Sequence, residues 1–143
     1  MDINCRQYKS SDFIEIMNLW TELELANPQR GDTQQTIENT LKAGGKLFVL
    51  CLNNTIIGTS WITNDARRLY LHHFGIKKQY QGQKLAWYLI KASLQYAKQI
   101  NMQIKLEVHK NNLIAVELYK KAGFERLGDY DVFIIRNPQT INF

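Results

Sequence analysis

The sequence predicts one α/β domain over residues 1–143, with a mixed, mostly antiparallel sheet of six to seven strands and about four helices. Some segments repeat apolar residues at helical spacing, and others are short β-rich runs bounded by turn residues. The second half reads strand, helix, strand, helix, which implies a right-handed crossover between two parallel neighbouring strands. Hairpins flank that unit, so the rest of the sheet is expected to be antiparallel.

The first half supplies three strands and two helices. A strand at residues 3–8 precedes a helix whose apolar stripe is Phe13, Ile16, Met17, Trp20 and Leu23. A second helix is predicted at about 33–43. Strands 46–52 and 55–63 flank Asn53-Asn54, a pair that tolerates the positive φ angles of a tight hairpin.

The second half supplies the remaining elements. A strand at 69–76 leads into a long helix at 82–100, followed by a strand at 104–108 and a helix at 112–122 that Gly123 closes. Residues 124–136 are predicted to form a final hairpin that turns near 129–131.

The amino-acid composition limits the classes of protein to which this chain can belong. With 45% hydrophobic and 22% charged residues, the chain is typical of a folded protein. No apolar run approaches the roughly 20 residues of a membrane span, and the polar start does not resemble a signal peptide, so a cytoplasmic protein without a membrane partner is expected. The three histidines and two cysteines lack a spacing that converges on a metal, so no metal is predicted.

The net charge of +5 suits nucleic acid, but it also suits a small ligand with several phosphates. No exposed face outside the motifs below concentrates aromatic and basic residues, so a nucleic-acid partner is not expected.

Two segments carry chemical information. The first ends a strand and begins a helix, and it consists of Gln81, Gly82, Gln83, Lys84, Leu85 and Ala86. A helix start offers unpaired N–H groups and a positive dipole end, which suit a pyrophosphate, although the same pattern also fits an ordinary glycine turn. The second is the helix after Asn112, in which Tyr119 lies on the inward face and would otherwise be a core residue.

Together, the two segments resemble the GNAT superfamily of acetyl-CoA-dependent N-acetyltransferases. That family shows Gln/Arg-x-x-Gly-x-Gly/Ala at a helix start, the position of residues 81–86 here. Later in the chain it shows Asn-x-x-Ala-x-x-x-Tyr-x-x-x-Gly-Phe, which matches Asn112, Ala115, Tyr119, Gly123 and Phe124. The departure is Lys84, which stands where the family usually has glycine. A lysine at a helix N-terminus, where φ is negative, still offers its backbone N–H.

The resemblance implies a cofactor site and a reaction. Residues 81–86 would hold the pyrophosphate of acetyl-CoA, Asn112 would contact the cofactor, and Phe74, Gly75 and Ile76 would splay from the next strand to accept the pantetheine arm. The Ile76 N–H would stabilise the oxyanion, and Tyr119 would protonate the departing thiolate. The acceptor would be a primary amine of a small molecule or peptide, and a homodimer is a further expectation. The alternative is a catalytically silent module that binds acetyl-CoA as a ligand.

Several residues could serve as the general base. Glu107 resembles the glutamate base of bacterial ribosomal-protein alanine acetyltransferases, but it can equally be a cross-strand polar residue. His72 and His73 are rivals because imidazoles titrate near neutral pH. Adjacent strand residues point to opposite faces, so at most one of these two histidines is expected to face the site. Residues that can shape an amine pocket, or equally belong to core and surface, are Trp20, Glu22, Glu24, Trp61, Asp129 and Asp131.

Overall fold

A computed structural model describes residues 2–143, which form two compact units that divide after Glu107. The strands of the first unit are β1 (Ile3–Gln7), β2 (Lys46–Leu52), β3 (Thr55–Asn64), β4 (Arg68–Ile76) and β5 (Gln103–Leu106). Its helices are α1 (Phe13–Glu22), α2 (Gln34–Lys42) and α3 (Ala86–Ile100). The second unit contains α4 (Leu113–Ala122).

The sheet has the order β1-β2-β3-β4-β5. Its first three pairings are antiparallel, and β4 and β5 are parallel, as expected for a crossover through α3. Asn53 and Asn54 have φ angles of 49° and 68°, which confirms the predicted turn between β2 and β3.

The predicted strand count of six to seven is wrong, because residues 2–143 form a sheet of five strands. Residues 124–136 contain no strand, and the side chains of Val132, Phe133, Ile134 and Ile135 are 65–89% exposed. Strand propensity largely measures how well a side chain packs on a half-buried sheet surface, so it is not realised where nothing packs. As a result, the parallel pair lies at the edge of the sheet rather than in its centre.

Each face of the sheet packs against its own helices. One face contacts α1 and α2 through a cluster that includes Ile16, Trp20, Ile37, Val49 and Trp61. The other contacts α3 and the turn before it through Leu50, Ile57, Ile76, Leu85 and Leu89. Successive strand residues such as Val49 and Leu50 supply opposite faces, as the period of a strand requires. Among the helices of the described chain, none has the length and apolar character needed to cross a membrane.

Candidate active site

A β-bulge interrupts the pairing of β4 with β3. Thr59 pairs with Gly75 and Trp61 pairs with His72, so His73 and Phe74 together stand opposite Ser60. His73 has a φ angle of 43°, in the left-handed region that a bulky residue rarely adopts. Bulges of this kind redirect side chains and are frequent beside active sites.

Two hydrogen bonds in series hold the bulge. The hydroxyl of Thr59, a fully buried residue, donates to the carbonyl oxygen of His73 over 2.8 Å. The same hydroxyl accepts from Nε1 of Trp20, also over 2.8 Å. Helix α1 and strand β3 therefore fix the backbone of His73 in a conformation that it would not favour alone.

The bulge places His72 and His73 on the same face of the sheet. Both rings contact Trp61, with centroid distances of 6.4 Å for His72 and 5.1 Å for His73. The expectation that these neighbours point to opposite faces is therefore wrong. Strict alternation requires an unbroken ladder, and the extra residue on β4 breaks it.

His72 lies in an apolar setting. Its ring stacks on Tyr70 at 4.4 Å, and its Nε2 lies 2.9 Å from the hydroxyl oxygen of Thr63. Burial first, and then the neighbouring His73, lower the pKa of His72 to about 4. The ring is consequently neutral near pH 7 and a weak proton acceptor.

His73 has an acidic neighbour, Asp32, that no local sequence pattern connects with it. Nε2 of His73 lies 3.1 Å from Oδ1 of Asp32, and the two side chains are only 17% and 13% exposed. The ring N–H is not aligned with that oxygen as a hydrogen bond requires, so the contact is electrostatic. The other carboxylate oxygen of Asp32 accepts from the backbone N–H of Asn27 over 2.7 Å, which fixes the carboxylate.

Glu107 directly follows the end of β5 and is exposed. Tyr70 pairs with Lys105 across the parallel ladder, and burial together with the nearby Glu107 carboxylate raises the pKa of Tyr70. One face of the sheet thus presents a row of rings, those of Tyr70, His72, Trp61 and His73, with Glu107 near one end and Asp32 near the other.

The pairing of β4 with β5 ends at Leu71 and Leu106, before β4 itself ends at Ile76. Phe74 and Ile76 pack toward the cluster on the α3 face. A methyl group on Gly75 would lie 2.9 Å from Cδ1 of Leu23, so this position is crowded by the segment that follows α1. The ladder ends because β5 itself ends at Leu106, so the expected splaying of β4 from its neighbour stays a prediction.

The turn between β4 and α3 differs from its prediction. Helix α3 begins at Ala86 rather than at residue 82, so Lys84 lies in the turn and not in the helix. Its φ angle is 63°, which contradicts the negative value expected for it. Gly82 also has a positive φ, of 79°, and the side chain of Gln81 donates to the carbonyl oxygen of Ile76 over 2.8 Å. Glycine is favoured at left-handed positions, which accounts for its usual presence where this chain has Lys84.

The start of α3 fits an anionic ligand. Its N-cap is Leu85, whose side chain has no oxygen with which to cap the first N–H groups. The turn that precedes it contains Lys84 and follows Lys77 and Lys78. An uncapped helix start of this kind favours negative charge through its N–H groups and its dipole.

The second unit contains the other two predicted site residues. Asn112 caps α4, because its Oδ1 accepts from the N–H of Ala115 over 3.3 Å, and Gly123 ends the helix with a φ of 105°. Tyr119 is buried, and its ring meets Phe124 edge to face at 5.7 Å. Burial raises the pKa of Tyr119 to about 12. The described part of the chain gathers no group of three or more His, Cys, Asp or Glu side chains able to hold a metal ion.

Sequence reasoning missed Asp32, Thr59 and Tyr70. Asp32 lies in the segment between two predicted helices, where an aspartate is most simply a turn residue. Thr59 and Tyr70 lie inside strands and carry no motif. Trp20 and Trp61, considered for an acceptor pocket, are instead stacked core residues with centroids 5.5 Å apart and exposures of 0% and 4%.

Comparison with known proteins gives several acetyltransferases. The chain is 34% identical over 70 residues to a probable spermine N(1)-acetyltransferase of Bacillus subtilis subsp. natto, a match that covers 48% of this chain and 46% of that protein. The match thus spans less than half of the relative's length. An acetyltransferase of Yersinia pestis strain Pestoides F is 25% identical over 122 residues, covering 84% and 86% of the two chains.

Solved structures share the fold. A GNAT acetyltransferase of Staphylococcus aureus Mu50 has a TM-score of 0.76 at 22% identity, over 91% of this chain and 89% of that one. AAC(6')-Iy, solved with the bisubstrate analogue CoA-S-monomethyl-acetylneamine, has a TM-score of 0.79 at 15% identity, over 96% and 100%. A Clostridium acetobutylicum protein solved with acetyl-CoA has a TM-score of 0.74 at 18% identity, over 93% and 96%.

The family model described as the acetyltransferase (GNAT) family matches residues 13–124. That range includes the β4 bulge, the turn before α3 and the whole of α4. The chain therefore belongs to the acetyltransferase (GNAT) family, a family of acyltransferases.

Proposed function

We propose that this protein transfers the acetyl group of acetyl-CoA to a primary amine of a small molecule. The observation that carries the proposal is the bulged strand β4, which extends beyond its pairing with β5 and leads into the lysine-bearing turn at the start of α3. Family membership supports the acetyl transfer. Relatives named for spermine, and a fold neighbour solved with an acetylneamine analogue, support a small amine as acceptor.

The cofactor contacts are proposed from this strand and turn. Phe74, Gly75 and Ile76 would line the pantetheine arm, and the turn with the first residue of α3 would hold the pyrophosphate; that segment is Gln81, Gly82, Gln83, Lys84, Leu85 and Ala86. Asn112 is proposed as a further contact on the strength of its motif. Lysines in and before the turn favour the approach of a ligand that carries several phosphates.

The acidic groups on the other side of the bulge suit a cationic acceptor. Asp32 and Glu107 flank the row of rings, and both act electrostatically on His72. Asp32 is largely buried, and a carboxylate in such a setting attracts ammonium groups more strongly than one in bulk water. A small diamine or polyamine is therefore the acceptor class that we favour.

The proposed reaction requires a base and an acid. An alkylammonium, with an unperturbed pKa of about 10.4, has no lone pair, so it must lose a proton before its nitrogen attacks the thioester carbonyl. The C–N bond then forms, the C–S bond breaks, and the sulfur leaves with the electron pair. The nitrogen loses a second proton, which balances the one that the thiolate takes up.

Tyr119 is the proposed acid. Its pKa of about 12 keeps the phenol protonated across the working pH range. A phenol of that pKa is a weaker acid than a free tyrosine, so its proton moves only as negative charge develops on the sulfur during C–S cleavage.

The proposal is tested by measuring the release of CoA thiol with acetyl-CoA and a panel of amines that includes spermine, spermidine, an aminoglycoside and a peptide N-terminus. We expect release that depends on one of the small amines and that is absent without an amine. Acetyl-CoA should also raise the melting temperature, because it binds the folded state. A melting shift without turnover of any amine would favour the silent binding module instead.

A further inference from the structure

The side chains of Asp32 and His73 place a carboxylate beside an imidazole, close enough for electrostatic attraction although not aligned as a hydrogen bond. Nε2 of His73 faces Oδ1 of Asp32 at 3.1 Å, and the second oxygen of Asp32 is held by the N–H of Asn27. In the neutral ring, the nitrogen beside a carboxylate carries the hydrogen. The lone pair of the neutral imidazole is then on Nδ1, where it can accept a proton.

Specific contacts hold the backbone of His73 as well as its ring. Its left-handed φ of 43° is maintained by the hydroxyl of Thr59, which Trp20 in turn orients. The ring lies 4.5 Å from that of Trp20 and 5.1 Å from that of Trp61, measured between centroids. Strained residues that are held by several contacts concentrate at functional sites.

The two rival bases are less suited to the task. His72 is buried beside another imidazole, which disfavours its protonation, and its Nε2 contacts Thr63. Glu107 is exposed at the end of β5, and its carboxylate interacts with the hydroxyl of Tyr70.

We propose that His73, oriented by Asp32, is the proton acceptor for the attacking amine. This inference rests on the proposed acetyl transfer. Nδ1 of His73 takes one proton from the alkylammonium, giving the free amine and an imidazolium that the Asp32 carboxylate stabilises. The imidazolium later releases that proton to solvent, while Asp32 stays ionised and acts as a positioning residue.

The test is the pH dependence of kcat/KM for acetyl transfer to the best small amine, in the parent and in three variants. His73→Asn removes the base and is suited to the left-handed conformation, which asparagine tolerates well. Asp32→Asn keeps an oxygen for the N–H of Asn27 but removes the charge. His109→Asn is the matched control, because it makes the same replacement at an exposed histidine.

The parent should lose activity on the acidic side as the base becomes protonated. His73→Asn should slow the chemical step by on the order of 10²-fold or more, and the loss of activity at low pH, the acidic limb of the pH profile, should disappear. Acetyl-CoA should still raise the melting temperature of this variant. Asp32→Asn should lower kcat while changing KM little, since the ring of His73 loses the carboxylate that orients it. The titratable groups around the ring are Asp32, beside it, His72 on the same strand, and Glu107, which acts electrostatically on His72.

An acidic limb that persists in His73→Asn and disappears in Glu107→Gln would overturn the assignment and make Glu107 the base. An unchanged kcat in Asp32→Asn would remove Asp32 from its positioning role. Either result leaves the proposed acetyl transfer intact, whereas a parent protein that acetylates no amine contradicts that function itself.

Discussion

At the scale of single residues, neighbours in sequence differ sharply in chemistry. His72 and His73 share one face of the sheet, yet His72 is stacked among rings and His73 faces a carboxylate. The identity of a residue therefore does not decide whether it can exchange a proton at neutral pH. The surroundings of the residue decide this property. They depend on the bulge in β4 and on the segment that contains Asp32, and neither can be recognised from the local sequence.

The lowered pKa of His72 predicts a dependence of stability on pH. Its folded pKa of about 4 lies below the ordinary value of 6.5, so the unfolded chain binds more protons in that interval. The stabilising contribution is complete above pH 6.5 and is lost as the pH falls toward 4.

This effect can be measured as the free energy of unfolding in urea from pH 7 down to pH 4. His72→Gln should flatten the decline in that interval, whereas His109→Gln, at an exposed histidine, should leave it as in the parent. Equal slopes in the parent and His72→Gln would mean that His72 is not buried in its neutral form.

Tyr119→Phe separates packing from chemistry at the second predicted site residue. The ring and its contact with Phe124 are kept, so stability and acetyl-CoA affinity should be preserved. Loss of the acid should slow single-turnover acetyl transfer by on the order of 10²-fold. If the variant instead runs at the parent rate, Tyr119 is a packing residue and the thiolate is protonated by water.

At the scale of elements, the regular ones were predictable and the irregular ones were not. The β2–β3 hairpin was predictable because Asn53-Asn54 selects its turn and the apolar pattern fixes the strands that it joins. The bulge in β4 depends on contacts with Thr59 and Trp20, which are distant in sequence. The run Val132 to Ile135 was predicted as a strand from propensity alone, and it forms none.

The turn before α3 gives a test of backbone conformation. Lys84 has a φ of 63°, a conformation that costs a residue with a Cβ roughly 1–2 kcal/mol and costs glycine little. Lys84→Gly and Lys84→Val both remove the charge but differ in tolerance of this angle. We expect Lys84→Gly to be the more stable of the two by about 1 kcal/mol or more in urea unfolding.

Comparable stability of the two Lys84 variants would show that the turn does not hold this residue in the left-handed region. The position would then provide no structural reason for the glycine that the family usually has there.

At the scale of the whole molecule, the order of elements and two short motifs were enough to predict the family. Gln81 to Ala86 and Asn112 to Phe124 occur in the same order as in the family, and the matched range of residues 13–124 contains both. The proposed base could not be predicted to the same extent. It depends on how Asp32, Thr59 and His73 come together, which results from tertiary packing rather than from local sequence pattern.

The most direct test of the central claim is to supply acetyl-CoA with a deuterated acetyl group and to follow the label by mass spectrometry in the presence of a small amine such as spermine. We predict that the amine gains one labelled acetyl group per reacting nitrogen, only with folded protein and intact acetyl-CoA, and in step with the release of CoA thiol. Label that stays on CoA, or that appears as free acetate while every amine remains unmodified, would contradict the assignment of this protein as an amine acetyltransferase.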